Sequence, residues 1–344
     1  MSGPSKRQLK LRQRDKHKQV EAAKAKGGFP NQTVFRASER LYRPLATIQG
    51  SLTNYPELLA HPHPALVPLG TLALSAFSSL QVPAYALPSV PGLIYLPQAL
   101  PPKLQAQLVH EALLHYPRAP NKTNLHAHYH LPSESIFHAH LEDPDLQVQS
   151  IDPTTTTTSS IPISSLIRKL RWTTLGRQYD WSTKSYPDHQ EIPPFPSTLD
   201  QISRSIAQVL PAPFSSSHYT PQAGVVNYYH VGDTLTGHVD QSEENMDAPL
   251  ISLSLGCSSV FLIGPDAQTT PAALLLRSGD VLAMCGSSRS FLHGIPSILP
   301  TSSPSYLTDP ATYLQGVSEA EEASACTTYI QNARINMNVR QVFY

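Results

Sequence analysis

Gly237-His238-Val239-Asp240 contains the single His-x-Asp tripeptide of the chain. In extended backbone, residues two apart point to the same side, so an imidazole and a carboxylate here converge on one point. With 15 His and 13 Asp in 344 residues, about 0.6 such tripeptides arise by chance, and the motif alone carries little weight. A second histidine, His293, lies on a later short apolar segment, Ser290-Phe291-Leu292-His293-Gly294-Ile295. Two histidines and one carboxylate on one face of an iron leave three coordination positions open, enough for a bidentate 2-oxo acid and O2. A lone histidine on an apolar strand is more commonly a hydrogen-bonded core residue, and at this point that reading of His293 stays open.

The segment Arg334-Ile335-Asn336-Met337-Asn338-Val339-Arg340 alternates without a fault. A strand there puts Arg334, Asn336, Asn338 and Arg340 on one face and Ile335, Met337 and Val339 on the other. If the apolar face packs against helices, the two guanidiniums point into the fold and need anionic partners, because unpaired buried charge is costly. A dicarboxylate such as 2-oxoglutarate would supply them, and the planar fork of one arginine suits its distal carboxylate. The alternative is an exposed edge strand with solvated arginines. Asn227 and Tyr229, two apart shortly before His238, would face the same co-substrate or be ordinary sheet residues.

From Gly224 onward, short apolar runs alternate with turn signals such as Gly264-Pro265-Asp266 and Gly279-Asp280. They predict strands over 225–230, 250–255, 260–263, 273–277, 281–284, 291–295 and 333–343. An earlier strand is expected at Leu93-Ile94-Tyr95-Leu96, between Pro91 and Pro97. Helices are expected from Pro102 to Tyr116, with Leu104, Leu108, Val109 and Ala112 on one face, and from Thr198 to Leu210, with Ser197 as N-cap. That succession predicts an α+β fold, a jelly-roll core with flanking helices and a basic N-terminal extension.

In matching order and spacing, Asn227-Tyr228-Tyr229, His238-Val239-Asp240, Gly279-Asp280-Val281, Ser288-Arg289, His293-Gly294 and Arg334 to Val342 resemble the AlkB family of dioxygenases. The resemblance covers about residues 90–344. Arg171 to Gly176, Tyr179-Asp180-Trp181 and Asn336-Met337 are most similar to the first eukaryotic AlkB homologues. It implies a double-stranded β-helix, iron on His238, Asp240 and His293, and 2-oxoglutarate held by Asn227, Tyr229, Arg334, Asn336 and Arg340, with O2 as second co-substrate. It implies oxidative demethylation of N-methylated bases in tRNA or DNA, with formaldehyde, succinate and CO2 as products. It also implies a nucleotide-recognition lid, which should fall within 117–190. Ser242 departs from the bacterial pattern, where an acidic residue stands near the flipped base. The loop from Pro300 to Thr328 is long for the family, and the run Thr154 to Thr158 has no assigned counterpart.

Formal net charge is zero, yet it is unevenly spread. The first 27 residues carry nine Lys and Arg against Asp15 and Glu21, net +7, so the remainder is net −7. A basic arm of this kind binds phosphates by counterion release, or is simply a solubilising tail. Its composition is compatible with a nuclear signal and with a mitochondrial transit peptide. Residues 1–28 read as this arm, 29–90 as a Pro-, Ser- and Ala-rich extended wrap with short helices, and 91–344 as the catalytic unit. Cys257, Cys285 and Cys326 are an odd, widely spaced set, which fits a reducing, intracellular compartment rather than a disulfide framework. The most apolar stretch, Leu66 to Leu80, is broken by Pro68 and Gly70 and predicts no membrane span.

Three further expectations follow. Tyr179, Trp181 and Tyr186 are candidates for stacking on a substrate base, or else packing residues. His126, His128, His130, His138 and His140, followed by Glu142, form a dense histidine cluster that reads as loop surface, with zinc or copper binding as the alternative. His189-Gln190-Glu191 reads as surface. Two rival functions remain at this stage: a dioxygenase acting on a methylated or basic protein, and a catalytically idle nucleic-acid-binding module.

Overall fold

The computed structural model describes residues 33–46, 52–74, 77, 81–151, 160–187, 192–313 and 319–344. The basic arm, Thr154 to Thr158 and His189-Gln190-Glu191 lie outside the described residues.

In chain order the strands are β1 (Val67–Ala73), β2 (Gln81–Ala86), β3 (Leu93–Leu96), β4 (Gln147–Gln149), β5 (Ser160–Pro162), β6 (Trp172–Gly176), β7 (Ala223–His230), β8 (Leu235–His238), β9 (Leu250–Gly256), β10 (Ser259–Gly264), β11 (Ala272–Leu276), β12 (Val281–Met284), β13 (Leu292–Ile298) and β14 (Ala333–Arg340). Eight form a major antiparallel sheet in the order β1-β2-β3-β12-β9-β14-β7-β6, four a minor sheet in the order β11-β10-β13-β8, and β4 and β5 a separate pair. Side chains alternate across each strand, so each sheet feeds two cores. Tyr229 of β7, Leu250 of β9, Leu282 and Met284 of β12 and Phe261, Ile263, Leu274, Leu276 and Ile295 of the minor sheet fill the space between the sheets. The intervening residues of the major sheet, Val226, Tyr228, Ile251, Leu253, Leu255, Ile335, Met337 and Val339, pack against the outer helices. This two-sheet sandwich is the jelly roll expected from the sequence.

Those helices are Pro102–His110, continued by a wider turn through His115, and Ser197–Val209, with Ala320–Ile330 beside them. Leu199, Ile202 and Ile206 are buried on one side of the second, as their 3.6-residue period requires. Ser197 proves to be its first residue and not its N-cap. Pro196 occupies the cap with no side-chain bond, and the fixed φ of proline makes a stiff entry to a helix.

Three segments differ from their sequence reading. Residues 67–86, expected as extended wrap, contain the β1–β2 hairpin that extends the major sheet. The stretch read as a long loop from Pro300 to Thr328 contains the helix Ser305–Thr308 and most of the helix Ala320–Ile330. The His-rich segment is loop surface only in part: His126, His128 and His130 are exposed as expected, whereas His138 and His140 ride on the helix Ile136–Glu142, capped by Ser135 Oγ accepting from the N–H groups of Phe137 and His138. Leu125, Ile136, Phe137, Ile163 and Leu166 bury themselves in the helical core.

Candidate metal and co-substrate site

His238 ends β8, the outermost strand of the minor sheet, and His293 lies opposite it on β13. Their rings stand 4.5 Å apart, centroid to centroid. Two residues past His238, Asp240 brings Oδ1 to 3.9 Å from His238 Nε2 and Oδ2 to 4.0 Å from His293 Nε2. Among the described residues, this is the one group of three or more His, Cys, Asp or Glu whose ligand atoms all lie within 4.8 Å of one another.

Both imidazoles are oriented by the same device. Nδ1 of His238 donates to the carbonyl of Thr236 at 3.0 Å, and Nδ1 of His293 to the carbonyl of Phe291 at 3.1 Å. A carbonyl oxygen only accepts, so the proton sits on Nδ1 and the lone pair of Nε2 is left to face Asp240. Two such nitrogens and a carboxylate oxygen, with the outer nitrogens tied to backbone carbonyls, fit a ferrous ion with open positions.

Electrostatics keep His293 neutral and Asp240 ionised. Burial, with His238 beside it, pushes the His293 imidazole down to about 4. Burial would raise the Asp240 carboxyl, but Arg340 and the two histidines hold it well below the usual carboxylate range. Arg340 donates from Nη2 to Asp240 Oδ2 at 3.2 Å and from Nη1 to Glu243 Oε1 at 2.6 Å. Glu243 Oε2 in turn accepts from Arg289 Nη2 at 3.1 Å. Glu243 and Arg289 are fully buried, and the two guanidiniums outweigh burial to keep the Glu243 carboxyl low.

Arg334, only 1% exposed, donates from Nη2 to Ser254 Oγ at 2.9 Å, while its Nε and Nη1 have no partner. Burial lowers its guanidinium to about 10. A buried cation with two free N–H directions is a ready receptor for a carboxylate. The 2-oxoglutarate expected from the sequence therefore fits the residues present. Asn336, register partner of Asn227, gives both Nδ2 hydrogens away, to Ser252 Oγ and the Leu253 carbonyl, each at 2.9 Å.

One cavity of about 330 Å3 is lined by His238, Asp240, His293, Asn227, Tyr229, Arg334, Asn336 and Arg340 together. Tyr179, Trp181 and Tyr186 line it too, and among the described residues of the stretch 117–190 they alone do so. Tyr179 packs edge-on against both, with centroids 4.7 Å from Trp181 and 5.1 Å from Tyr186. Trp181 packs against Trp172 in a tilted arrangement, centroids 5.0 Å apart, yet remains 50% exposed, and Tyr179 Oη meets Ser242 Oγ at 3.0 Å. The His-rich residues do not reach the cavity.

Sequence reasoning missed Glu243 and Ser254 entirely and gave Arg289 no role. Glu243 sits in the run Ser242-Glu243-Glu244-Asn245-Met246-Asp247, which reads as a solvated turn. Its partners lie 46 and 97 residues away, so no local signal marks it.

The profile of the 2OG-Fe(II) oxygenase superfamily matches residues 92–340. The tRNA demethylase abh1 of Schizosaccharomyces pombe is 34% identical over 321 residues, covering 92% of this chain and 98% of that protein. The DNA N(6)-methyladenine demethylase ALKBH1A of Arabidopsis thaliana is 34% identical over 276 residues, 76% of this chain and 78% of the relative. The alpha-ketoglutarate-dependent dioxygenase AlkB of Escherichia coli is 32% identical over 127 residues, 37% of this chain and 57% of its own length. The chain belongs to the AlkB family within the 2OG-Fe(II) oxygenase superfamily, and is a dioxygenase that works with Fe(II), 2-oxoglutarate and O2.

Proposed function

We propose that this dioxygenase removes N-methyl groups from nucleobases in tRNA or DNA. The observation that carries the proposal is the sharing of one cavity by three elements: the His238–Asp240–His293 group, the unsatisfied guanidinium of Arg334, and an aromatic wall ending in the exposed Trp181. Relatives of similar length bear the names tRNA demethylase and DNA N(6)-methyladenine demethylase, which supports the substrate class.

In this reading His238 Nε2, His293 Nε2 and one Asp240 oxygen hold the iron. Arg334 would take the distal carboxylate of 2-oxoglutarate through N–H groups that have no protein partner. Tyr229 and Asn227 border the co-substrate from β7, and Asn336 offers only its Oδ1. Arg340 keeps Asp240 ionised and aimed. With O2, the iron and 2-oxoglutarate supply the oxidation of the methyl carbon, which leaves as formaldehyde while 2-oxoglutarate becomes succinate and CO2. The protein contributes positioning and exclusion of water. A base stacked in a duplex cannot reach so recessed a centre, so the target is unpaired, looped or flipped out, and Tyr179, Trp181 and Tyr186 are placed to stack on it.

The test is a screen of N-methylated RNA, DNA and peptide with mass-spectrometric detection of the lost methyl group. Loss from a nucleic acid alone is expected. Loss from peptide alone would move the enzyme to a protein substrate, and loss from none would contradict the nucleobase assignment.

A further inference from the structure

The peptide unit joining Thr236 to Gly237 is hydrogen-bonded at both ends. Its carbonyl accepts the Nδ1 proton of His238 at 3.0 Å, and its N–H donates to Glu39 Oε1 at 2.6 Å. Glu39 comes from the helix Val34–Tyr42, 198 residues away in sequence and N-terminal to the stretch that the superfamily profile matches. An amide is one resonance-coupled plane. A carboxylate drawing on its N–H adds negative character to its oxygen, and hydrogen bonds in such a chain strengthen one another. We propose that Glu39 is a positioning residue of the metal site, acting through the Thr236–Gly237 peptide to orient His238 and strengthen it as a ligand. The inference rests on the assignment of His238 as a metal ligand.

Three features of the molecule support a built relay. Glu39 is 3% exposed, and its second oxygen is held by Arg36 Nη1 at 2.6 Å, so the carboxyl group is fixed through both oxygens. The helix is seated against the outer face of the minor sheet: Phe35 packs with Val260, Leu262 and Leu275, and its N–H donates to the Ala267 carbonyl at 3.1 Å. The seat is close enough that a Cβ on Gly237 would stand 2.7 Å from Phe35 Cε1, which only glycine avoids.

The comparison with His293 explains why one ligand needs this support. Both histidines bond the carbonyl two residues before them. His293, however, lies on β13, held between β10 and β8, whereas among the described residues β8 is the edge strand of its sheet. The sheet fixes the backbone behind His293. Behind His238 that work falls to a carboxylate, which adds charge as well as a bond. The arrangement is a metal-ligating histidine backed by a carboxylate, with one amide inserted between them.

The experiment uses the full chain, stripped of metal and titrated anaerobically with Mn(II), free Mn(II) being followed by electron paramagnetic resonance. Wild type should bind saturably and His238→Ala should not. Glu39→Ala is expected to bind about tenfold more weakly, the low end of the effect of removing an outer partner of a metal ligand. Glu39→Gln keeps an oxygen for Gly237 without the charge and should fall between the two, with the thermal midpoint of the metal-free protein unchanged. Mn(II) affinity of Glu39→Gln equal to wild type would overturn the relay, as would a loss of affinity that merely tracks a loss of metal-free stability. Should Glu39→Ala fail to fold, Glu39→Gln decides alone. Tight binding by His238→Ala would instead bring down the metal assignment beneath it.

Discussion

Arg340 reaches from the end of β14 to Asp240, Nη2 to Oδ2 at 3.2 Å, and so pairs with the carboxylate that stands between His238 and His293. Through Nη1 it also grips Glu243, which Arg289 holds from the other side. Two acids and two guanidiniums thus neutralise one another in a chain that runs under the metal group.

Breaking this chain at one end leaves a carboxylate buried without its partner. Arg340→Met should destabilise the protein by about 3–5 kcal/mol, the range for removing one member of a buried ion pair. A urea unfolding curve of the metal-free protein measures it. A change within about 0.5 kcal/mol would mean that the chain is exposed and weak.

Arg334 makes the opposite prediction. Its Nε and Nη1 have no partner, so in the absence of an anion it is a buried cost and not a support. Arg334→Met should leave the metal-free protein at least as stable as wild type while raising the 2-oxoglutarate requirement roughly tenfold or more, as expected for loss of a charge-assisted bond of about 1.5–3 kcal/mol. Thermal shifts with and without 2-oxoglutarate check both halves, because at a given ligand concentration wild type should gain more than the variant.

Trp181 tests the aromatic wall. Half exposed and packed at a tilt against Trp172, it should contribute about 1–3 kcal/mol to binding of single-stranded nucleic acid. Trp181→Ala should weaken that binding without changing its salt dependence or the uncoupled turnover of 2-oxoglutarate. Deleting residues 1–27 should instead flatten the salt dependence, since it removes phosphate-neutralising charge. Identical salt slopes in wild type and truncation would return the arm to a solubilising role.

The metal-free protein should lose stability between about pH 6.5 and 4. In the unfolded chain a histidine titrates near ~6.5, whereas burial, then His238, hold His293 down to about 4 in the fold. Between those values the unfolded state binds more protons, so stability rises with pH across the window and is lost as pH falls through it. Asp240 and Glu243 are held below the ordinary carboxylate range, so their contributions are present above that range and drop away only at lower pH. His63, His115, His126 and His230 are also lowered by burial. The comparison that isolates the effect is therefore wild type against His293→Gln by urea unfolding at pH 7.5 and pH 5, the variant showing the smaller drop. Equal drops would place the effect elsewhere.

Much of the site was legible because its residues obey a period. Arg334 to Arg340 alternates, and two-residue alternation is what puts four polar side chains on the cavity face of β14 and three apolar ones under the helices. His238 and Asp240, two apart, announce themselves likewise. What stayed hidden depends on contacts between distant segments. Glu39 looks like one acid on a short amphipathic helix until Gly237 is brought against it. Glu243 looks like turn surface until two arginines close over it. β1 escaped notice because it is exposed along almost its whole length and contains Pro68 and Gly70, so it shows neither alternation nor the usual strand composition. The helix Ala320–Ile330 was masked by its small and polar residues, which pack through Ala323, Cys326 and Ile330.

Turnover of 2-oxoglutarate to succinate, followed together with formaldehyde release from an N-methylated oligonucleotide, tests the central assignment most directly. Wild type with Fe(II) should yield the two products in equal amounts, and His238→Ala, Asp240→Ala and His293→Ala should each fall to background while remaining folded. Wild-type turnover retained by any one of the three variants would contradict the assignment of that side chain to the iron.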